Sequence, residues 1–278
     1  MSLDLLLPIH TYPDGNAAGI ASPSAAIAHY LGASVNAVIL DADFPPVSSA
    51  LGNLLINVPN IIGGAKEVFR VRGVNVLAAL NEAMESLHVP FRSTNIDCFP
   101  GAAGKLVSSM GRYHDFVLLG VGPTDPTPIA TAEAVLFGCG RPILLFREDR
   151  PSPDFKHIMI AWDGSRAAAR AVSDAQPFIS RADAVTIVSI TDEKVLPDRD
   201  LGSRLASYLA HQDINSVVAE IESEGRPIGE ALQDKACGIG ANLIVMGGFA
   251  HSRLREFVLG GATKGIMKNL RFATLMSH

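Results

Sequence analysis

One stretch of the sequence combines glycine pairs with basic residues at a spacing that could hold an anionic ligand. The segment VMGGFAHSRLREFVLGG, residues 245–261, contains Gly247 near its start and Gly260 and Gly261 at its end. Glycines let backbone N–H groups approach phosphate oxygens, and the start of a following helix favours negative charge. The segment therefore predicts either a loop that binds phosphates or a strand-to-helix turn that requires small residues.

The same segment carries a basic cluster, His251, Arg253 and Arg255. Arginine suits phosphate recognition, but Arg255 followed by Glu256 is equally typical of a solvated helix face. A histidine without a neighbouring nucleophile or acid is weak evidence for catalysis. The sequence also contains no hydrolase, zinc-protease or P-loop motif, so we predict no catalytic residue.

A carboxylate stands at the end of another predicted strand. The segment HIMIAWDGS, residues 157–165, is typical of a strand followed by a turn. Asp163 is placed either to accept a hydrogen bond from a ligand or to form an Asx turn with the following backbone. We expect Ser165 to cap the next helix, and Trp162 to belong to the core because it points away from Asp163.

The pattern of apolar segments predicts a scaffold that brings these strand ends together. Short apolar runs alternate with amphipathic segments, which is typical of a parallel sheet covered by helices on both faces. In such a sheet, ligands bind beyond the carboxyl ends of the strands, where the strand order reverses. Predicted helices include residues 24–31, 75–87, 166–178, 200–211 and 254–269.

The alternating pattern occurs twice, which indicates an internal duplication. A proline-rich, charged linker, residues 147–156, separates a domain of residues 1–150 from one of residues 151–278. FPGAAGKL matches EGRPIGEA, with Gly104 opposite Gly229. The first half has an additional segment, residues 53–73, which we interpret as an elongated loop and helix, with a lid as the alternative. We expect the last strands, residues 141–146 and 272–278, to cover each other's edges in an intramolecular pseudo-dimer.

Composition excludes several classes of protein. The chain has 278 residues, a net charge of -5 and 48% hydrophobic residues, so it can bury a large core and is not broadly attracted to nucleic acid or anionic membranes. Its three cysteines are far apart and suggest neither a disulfide framework nor a zinc site. We find no signal peptide and no apolar run long enough to span a membrane, and we expect a cytoplasmic protein.

The sequence resembles the universal stress protein family as two tandem copies, most strongly in the second half. ATP-binding members carry A-x-D-x-S after the first strand, which Ala161, Asp163 and Ser165 match. After the fourth strand they carry G-x-x-G, nine residues and G-[S/T]. Gly247 and Gly260 match this second motif, whereas Ala250 replaces a glycine and Gly261 replaces Ser or Thr. The resemblance implies an α/β fold of two Rossmann-like (adenine nucleotide alpha hydrolase-like) domains, each a five-stranded parallel sheet of order 3-2-1-4-5.

The resemblance also implies a nucleotide site in the second domain. ATP, with Mg²⁺ at its phosphates, would contact Ala161, Asp163, Ser165, Ile190, Met246, Gly247, Ala250, His251, Ser252, Gly260, Gly261, Ala262 and Thr263. The Ala250 methyl group restricts the positive φ that glycine allows, at about 1–2 kcal/mol, and thereby weakens phosphate binding. In the first domain His10 or Thr11 stands where the acid belongs and prolines enter the second motif, so we expect no ATP there.

These observations leave three hypotheses. The first is a stress-response protein that binds or senses ATP and presents a nucleotide-dependent surface to an unknown protein partner. The second is a nucleotide-independent interaction or scaffold protein of the same fold, which Ala250 and Gly261 favour. The third is slow ATP hydrolysis, for which the sequence supplies no clear base. A homodimer is compatible with each of them.

Overall fold

The structure, a computed structural model, describes residues 2–44, 58–123, 127–151, 154–192, 200–248 and 261–278. The chain divides into two compact units. The first unit consists of Met1–Cys139 and Glu148–Pro151, and the second of Gly140–Arg147 and Ser152–His278. Each has a mostly parallel sheet with helices, the α/β class that the alternating pattern predicts.

The first unit contains four parallel strands in the order β3-β2-β1-β4. Its strands are β1 Asp4–His10, β2 Ser34–Ala42, β3 Phe91–Cys98 and β4 Phe116–Val121. Both β1 and β4 are almost wholly buried, as expected for continuous apolar strands covered on two faces. The helices are α1 Ala21–Leu31, α2 Val58–Ser86, α3 Ala103–Gly111 and α4 Thr127–Gly138.

Helix α2 is longer than the sequence predicts, because it begins at Val58 rather than near residue 75. Much of the additional segment of the first half is therefore helical, which confirms the interpretation as an elongated helix for residues 58–73. Gly73 allows α2 to lie close to the sheet, since a Cβ there would lie 3.1 Å from the Ile39 Cγ2 atom. The remainder of the segment, residues 53–57, lies outside the described residues.

The second unit contains its own parallel strands in the order β10-β9-β6-β7-β8, which is the predicted 5-4-1-2-3 arrangement, and β5 pairs antiparallel with β10. The strands are β5 Ile143–Arg147, β6 His157–Ala161, β7 Ala184–Ile190, β8 Val217–Ile221, β9 Leu243–Gly247 and β10 Ala273–Ser277. The predicted contact between the last strands is thus present within this unit. The pseudo-dimer itself stays a prediction.

The helices of the second unit are α5 Arg166–Asp174, α6 Gln176–Ile179, α7 Leu201–Ala210, α8 Ile228–Gly238 and α9 Gly261–Lys268. The prediction of one helix over residues 166–178 is wrong, because the helix ends at Asp174 and a short one restarts after Ala175. Pro177 explains the break, since its nitrogen carries no hydrogen and its ring would clash with the preceding turn. Of the predicted helix 254–269, residues 254–260 lie outside the described part of the chain.

Two matched glycines show the duplication in the packing. A Cβ on Gly104 would lie 2.7 Å from the Ala134 Cβ atom, so α3 and α4 touch there. A Cβ on Gly229 would lie 2.7 Å from the Ile266 nitrogen, so α8 and α9 touch at the corresponding place. Both glycines therefore serve close helix–helix contact, which explains why the two halves share them.

We predict that Gly229→Ala destabilises the protein by about 1–3 kcal/mol, because the new methyl group meets backbone atoms that cannot turn away. Gly238→Ala is the matched control in the same helix. Nothing lies within 4 Å of its Cβ position, so alanine should be neutral or stabilising by up to about 1 kcal/mol. Urea unfolding of both variants measures the difference; equal effects would contradict the packing role of Gly229.

Candidate functional site

The candidate site lies where β6 and β9 end side by side in the second unit. The two strands are parallel neighbours, and Ala161 pairs in register with Met246. From β6 the chain continues to β7, which lies on one side of β6, whereas β9 lies on its other side. This is the switch point of the sheet, where α/β proteins bind ligands. The structure therefore brings Asp163 and Gly247 to adjacent strand exits.

Asp163 and Ser165 form a turn that starts α5. The Asp163 Oδ1 atom accepts a hydrogen bond of 2.9 Å from the Ser165 N–H, which is an Asx turn. Between them Gly164 has a φ of 72°, which glycine adopts at no steric cost. The Ser165 Oγ atom accepts the Ala168 N–H at 3.1 Å, which confirms the predicted helix cap. The turn holds the half-buried carboxylate at the β6 exit.

Trp162 is half-buried and is tied to the protein by its polar atoms. Its indole N–H donates to the Leu201 carbonyl oxygen at 3.1 Å, which connects the β6 exit to the start of α7. Its carbonyl oxygen accepts from the Ser189 hydroxyl at 2.8 Å. Trp162 therefore supports the site as part of the framework, but the expectation that it belongs to the core is wrong, because it is only half-buried.

The exits of β7 and β8 are joined by a carboxylate that sequence reasoning missed. Asp192 accepts hydrogen bonds from the Ser223 N–H at 2.8 Å, the Ser223 hydroxyl at 2.9 Å and the Glu224 N–H at 3.0 Å. These bonds, that of the Ser223 N–H foremost, lower the pKa of the Asp192 carboxyl from its usual value. Half-buried Ile190 lies two residues before it, at the end of β7. The only sequence signal was an acid directly after a strand end.

Gly247 has a packing role that does not depend on a ligand. A Cβ at this position would lie 2.6 Å from the Ala168 nitrogen and 2.8 Å from the Ala167 carbonyl carbon. The β9 exit thus passes directly against the first turn of α5, and Met246 before it is buried. The end of β9 therefore requires a small residue at position 247, independently of any ligand.

The start of α9 contributes the last described candidates. Gly261 is exposed at the first position of the helix, with nothing within 4 Å of its Cβ direction, and Ala262 is half-buried. Thr263 is buried. Ala250, His251, Ser252 and Gly260 lie outside the described residues, as do Arg253 and Arg255. Their contacts with phosphate stay predictions.

Comparison with known proteins identifies the second half. The sequence model of the Universal stress protein family matches residues 154–278. This segment belongs to the universal stress protein family. A comparison with curated protein sequences gives no match.

Solved structures extend the fold of this family over the whole chain. A universal stress protein from Archaeoglobus fulgidus is 14% identical, covers 100% of this chain and 96% of its own, and has a TM-score of 0.71. A putative universal stress protein from Pseudomonas aeruginosa is 13% identical, with 99% and 93% covered and a TM-score of 0.54. The cytoplasmic domain of a prokaryotic cation chloride cotransporter is 11% identical, with 100% and 96% covered and a TM-score of 0.53. These similarities support the tandem architecture.

The crevice of the first unit is built differently from that of the universal stress protein segment. Where Asp163 stands in the second unit, the first has His10 and Thr11, both buried. The Thr11 hydroxyl donates to the Leu40 carbonyl oxygen at 2.8 Å, and Asp14 is exposed. Gly122, near the predicted second motif, faces the chain's own Glu148. In the first unit, His10 and Thr11 therefore stand in place of the acid.

Three further features of the described residues concern membrane spans, metal ligands and thiols. Among the described helices, none combines the length and apolarity needed to cross a membrane. In the same part of the chain, no three His, Cys, Asp or Glu residues are grouped as metal ligands. Cys98 and Cys139 are buried free thiols and Cys237 is exposed; burial raises the pKa of the Cys98 thiol.

We predict that Asp192→Asn lowers the free energy of unfolding of the second unit at neutral pH, because an amide has only one oxygen to accept from three donors. The lowered folded pKa means that the carboxylate's contribution is complete above the unfolded value of about 4 and is lost as pH falls through the folded value. Urea midpoints of wild type and variant should differ at pH 7 and converge below about pH 4. The exposed Asp183→Asn serves as control. A difference that stays constant with pH would refute the role.

Proposed function

We propose that the second unit binds an adenine nucleotide, ATP, and that the protein is a cytoplasmic stress-response protein that acts by binding rather than by turnover. One observation carries this proposal: the Asx turn of Asp163 holds a carboxylate at the switch point, beside the β9 exit. A carboxylate there can accept a hydrogen bond from an exocyclic amino group, which adenine has and guanine lacks at the same ring position. The family of residues 154–278 supports this choice of ligand.

The described residues fit the base and the phosphate end of such a ligand. Asp163 and the backbone of Ile190 lie at the exits of neighbouring strands, β6 and β7, and are suited to the adenine ring. Gly261 opens α9, and its exposed backbone with that of Ala262 and Thr263 offers N–H groups at a helix start, where phosphates bind favourably. Mg²⁺ would arrive with the phosphates and balance their charge.

Nucleotide occupancy would act through the surface around the crevice. The Asp163 turn also starts α5, and Trp162 beside it is bonded to the start of α7. A ligand that contacts this turn therefore favours one arrangement of two helices, which a partner protein can recognise. By linkage, the partner would change ATP affinity by the same factor.

A second candidate function is nucleotide-independent interaction. The packing of Gly247 favours it, since this motif glycine is explained by contact with α5 alone. The Asx turn of Asp163 likewise serves to start a helix. Under this alternative the fold is retained as a scaffold and neither crevice takes a nucleotide.

Titration calorimetry with ATP and GTP separates the two functions. We expect wild type to bind ATP more tightly than GTP. Asp163→Asn should reduce ATP affinity roughly ten- to a hundredfold, because a carboxylate hydrogen bond is lost. The variant keeps an oxygen for the Ser165 N–H, and its amide N–H can now donate to the guanine oxygen, so the preference for ATP should narrow or reverse.

Asp183→Asn is the charge-matched control, because Asp183 is exposed in the turn before β7. It should leave both affinities unchanged. Absence of binding heat with ATP at high micromolar wild-type protein would contradict the nucleotide function and favour the scaffold. Equal ATP affinities of Asp163→Asn and wild type would do the same.

A further inference from the structure

The first unit contains a cavity of about 270 Å³ at the exits of its strands. It is bounded by the ends of β1, β2 and β3 and by the helices α3 and α4. Apolar side chains such as Leu40, Ala42, Pro100, Ala103 and Ala130 supply much of its wall. The lining residues that the structure describes include no Lys, Arg, Asp or Glu.

One lining residue of this cavity belongs to an aromatic cluster. Tyr12, which lines it, makes edge-to-face contacts with Phe44 and Phe69, at ring-centre distances of 5.1 and 5.2 Å. Phe69 belongs to the elongated part of α2, so the additional segment of the first half packs against Tyr12. Arg72 on the same helix donates to the carbonyl oxygens of Thr11 and Pro13 at 2.6 and 2.9 Å. These bonds fix the β1 exit against α2.

Polar atoms next to the cavity are largely engaged within the protein. The His10 Nε2 atom lies 3.1 Å from the Thr131 hydroxyl, and the His10 N–H donates to the Asn16 side-chain oxygen at 2.8 Å. The Thr11 hydroxyl donates to the Leu40 carbonyl oxygen. Such a wall offers a ligand little hydrogen bonding, so binding must come mainly from apolar contact.

The place where a phosphate would be expected is filled by the chain itself. Buried Glu148 accepts from the Asn16 side-chain N–H at 3.0 Å and from the Ala17 N–H at 3.4 Å. A Cβ on Gly122 would lie 2.7 Å from the Glu148 Oε1 atom. The carboxylate thus accepts the hydrogen bonds that are available at the start of the helical segment after β1. It also occupies the space beside Gly122, directly after β4. An anionic ligand group would therefore find neither these N–H donors nor this space.

We propose that this cavity binds a small, uncharged, largely apolar molecule with an aromatic or aliphatic body. Its volume lies just below the range of about 300–1,000 Å³ for drug-sized ligands, so the ligand is of one- or two-ring size. The described lining residues offer no Lys, Arg, Asp or Glu to compensate a buried charged group, so its burial there is disfavoured. The site is separate from the proposed nucleotide site and does not depend on it.

A matched pair of fluorescent probes tests the proposal on the full chain. 1-Naphthylamine is neutral at pH 7, and 5-amino-1-naphthalenesulfonate adds one sulfonate to the same two-ring system. We expect the neutral probe to bind with one site per chain, at least about tenfold more tightly than the sulfonate, because the charge must be desolvated. Toluene should displace it.

Ala130→Trp places a large ring at the cavity from an exposed helix position and should weaken neutral-probe binding by about tenfold or more. Ala78→Trp is the matched control at an exposed position of α2 outside the lining and should bind as wild type. If the Ala130 variant fails to fold, amide NMR of the wild type gives the answer. Shifts on probe addition should then cluster at Thr11, Ala42 and Ala103.

Loss of binding in the Ala130 variant alone, or that cluster of shifts, supports the cavity as the site. Equal binding by both tryptophan variants, shifts confined to other residues, or tighter binding of the sulfonate would overturn the proposal. ATP affinity is expected to be the same in both variants, so failure here leaves the nucleotide function standing.

Discussion

Residue 247 has no room for a side chain, and this constraint ties the β9 exit to the start of α5. The atom that a Cβ would strike first is the Ala168 nitrogen, whose hydrogen bond goes to the Ser165 hydroxyl. The Ser165 N–H in turn donates a hydrogen bond to the Asp163 carboxylate. One helix start therefore links a strand end, a helix cap and the carboxylate of the site. Asp163 is held in place by packing before any ligand arrives, and preorganisation of this kind lowers the entropy lost on binding.

The two units keep the same helix packing but differ at their crevices. Gly104 and Gly229 each permit close contact of two helices, and such contacts are expensive to change because backbone atoms meet there. At the strand exits, the first unit replaces the acid, fills the space beside Gly122 with Glu148, and packs Phe69 of α2 against Tyr12. The second unit keeps the carboxylate and the glycine. A duplicated fold can thus keep one kind of helix packing while its two crevices differ.

The sequence predicted what depends on local patterns. The alternation of strands and helices and the cap at Ser165 are confirmed, because periodicity and a helix-start motif encode them locally. The strand order, which the family resemblance implies, is confirmed in the second unit. Asp192 and Glu148 were missed, since their partners lie 31 and 132 residues away and an acid after a strand end is a weak local signal. The break near Pro177 was missed although proline signals it, because the apolar pattern continued across it. The roles of Ala250, His251, Ser252 and Gly260 stay predictions.

The central claim is that only the second unit binds ATP. Native mass spectrometry of the full chain with ATP measures this directly, because it counts bound nucleotides per molecule. The account predicts one ATP on wild type and none on Asp163→Asn at the same concentration. Two nucleotides on wild type, none at any concentration tested, or an unchanged count on the variant would contradict it.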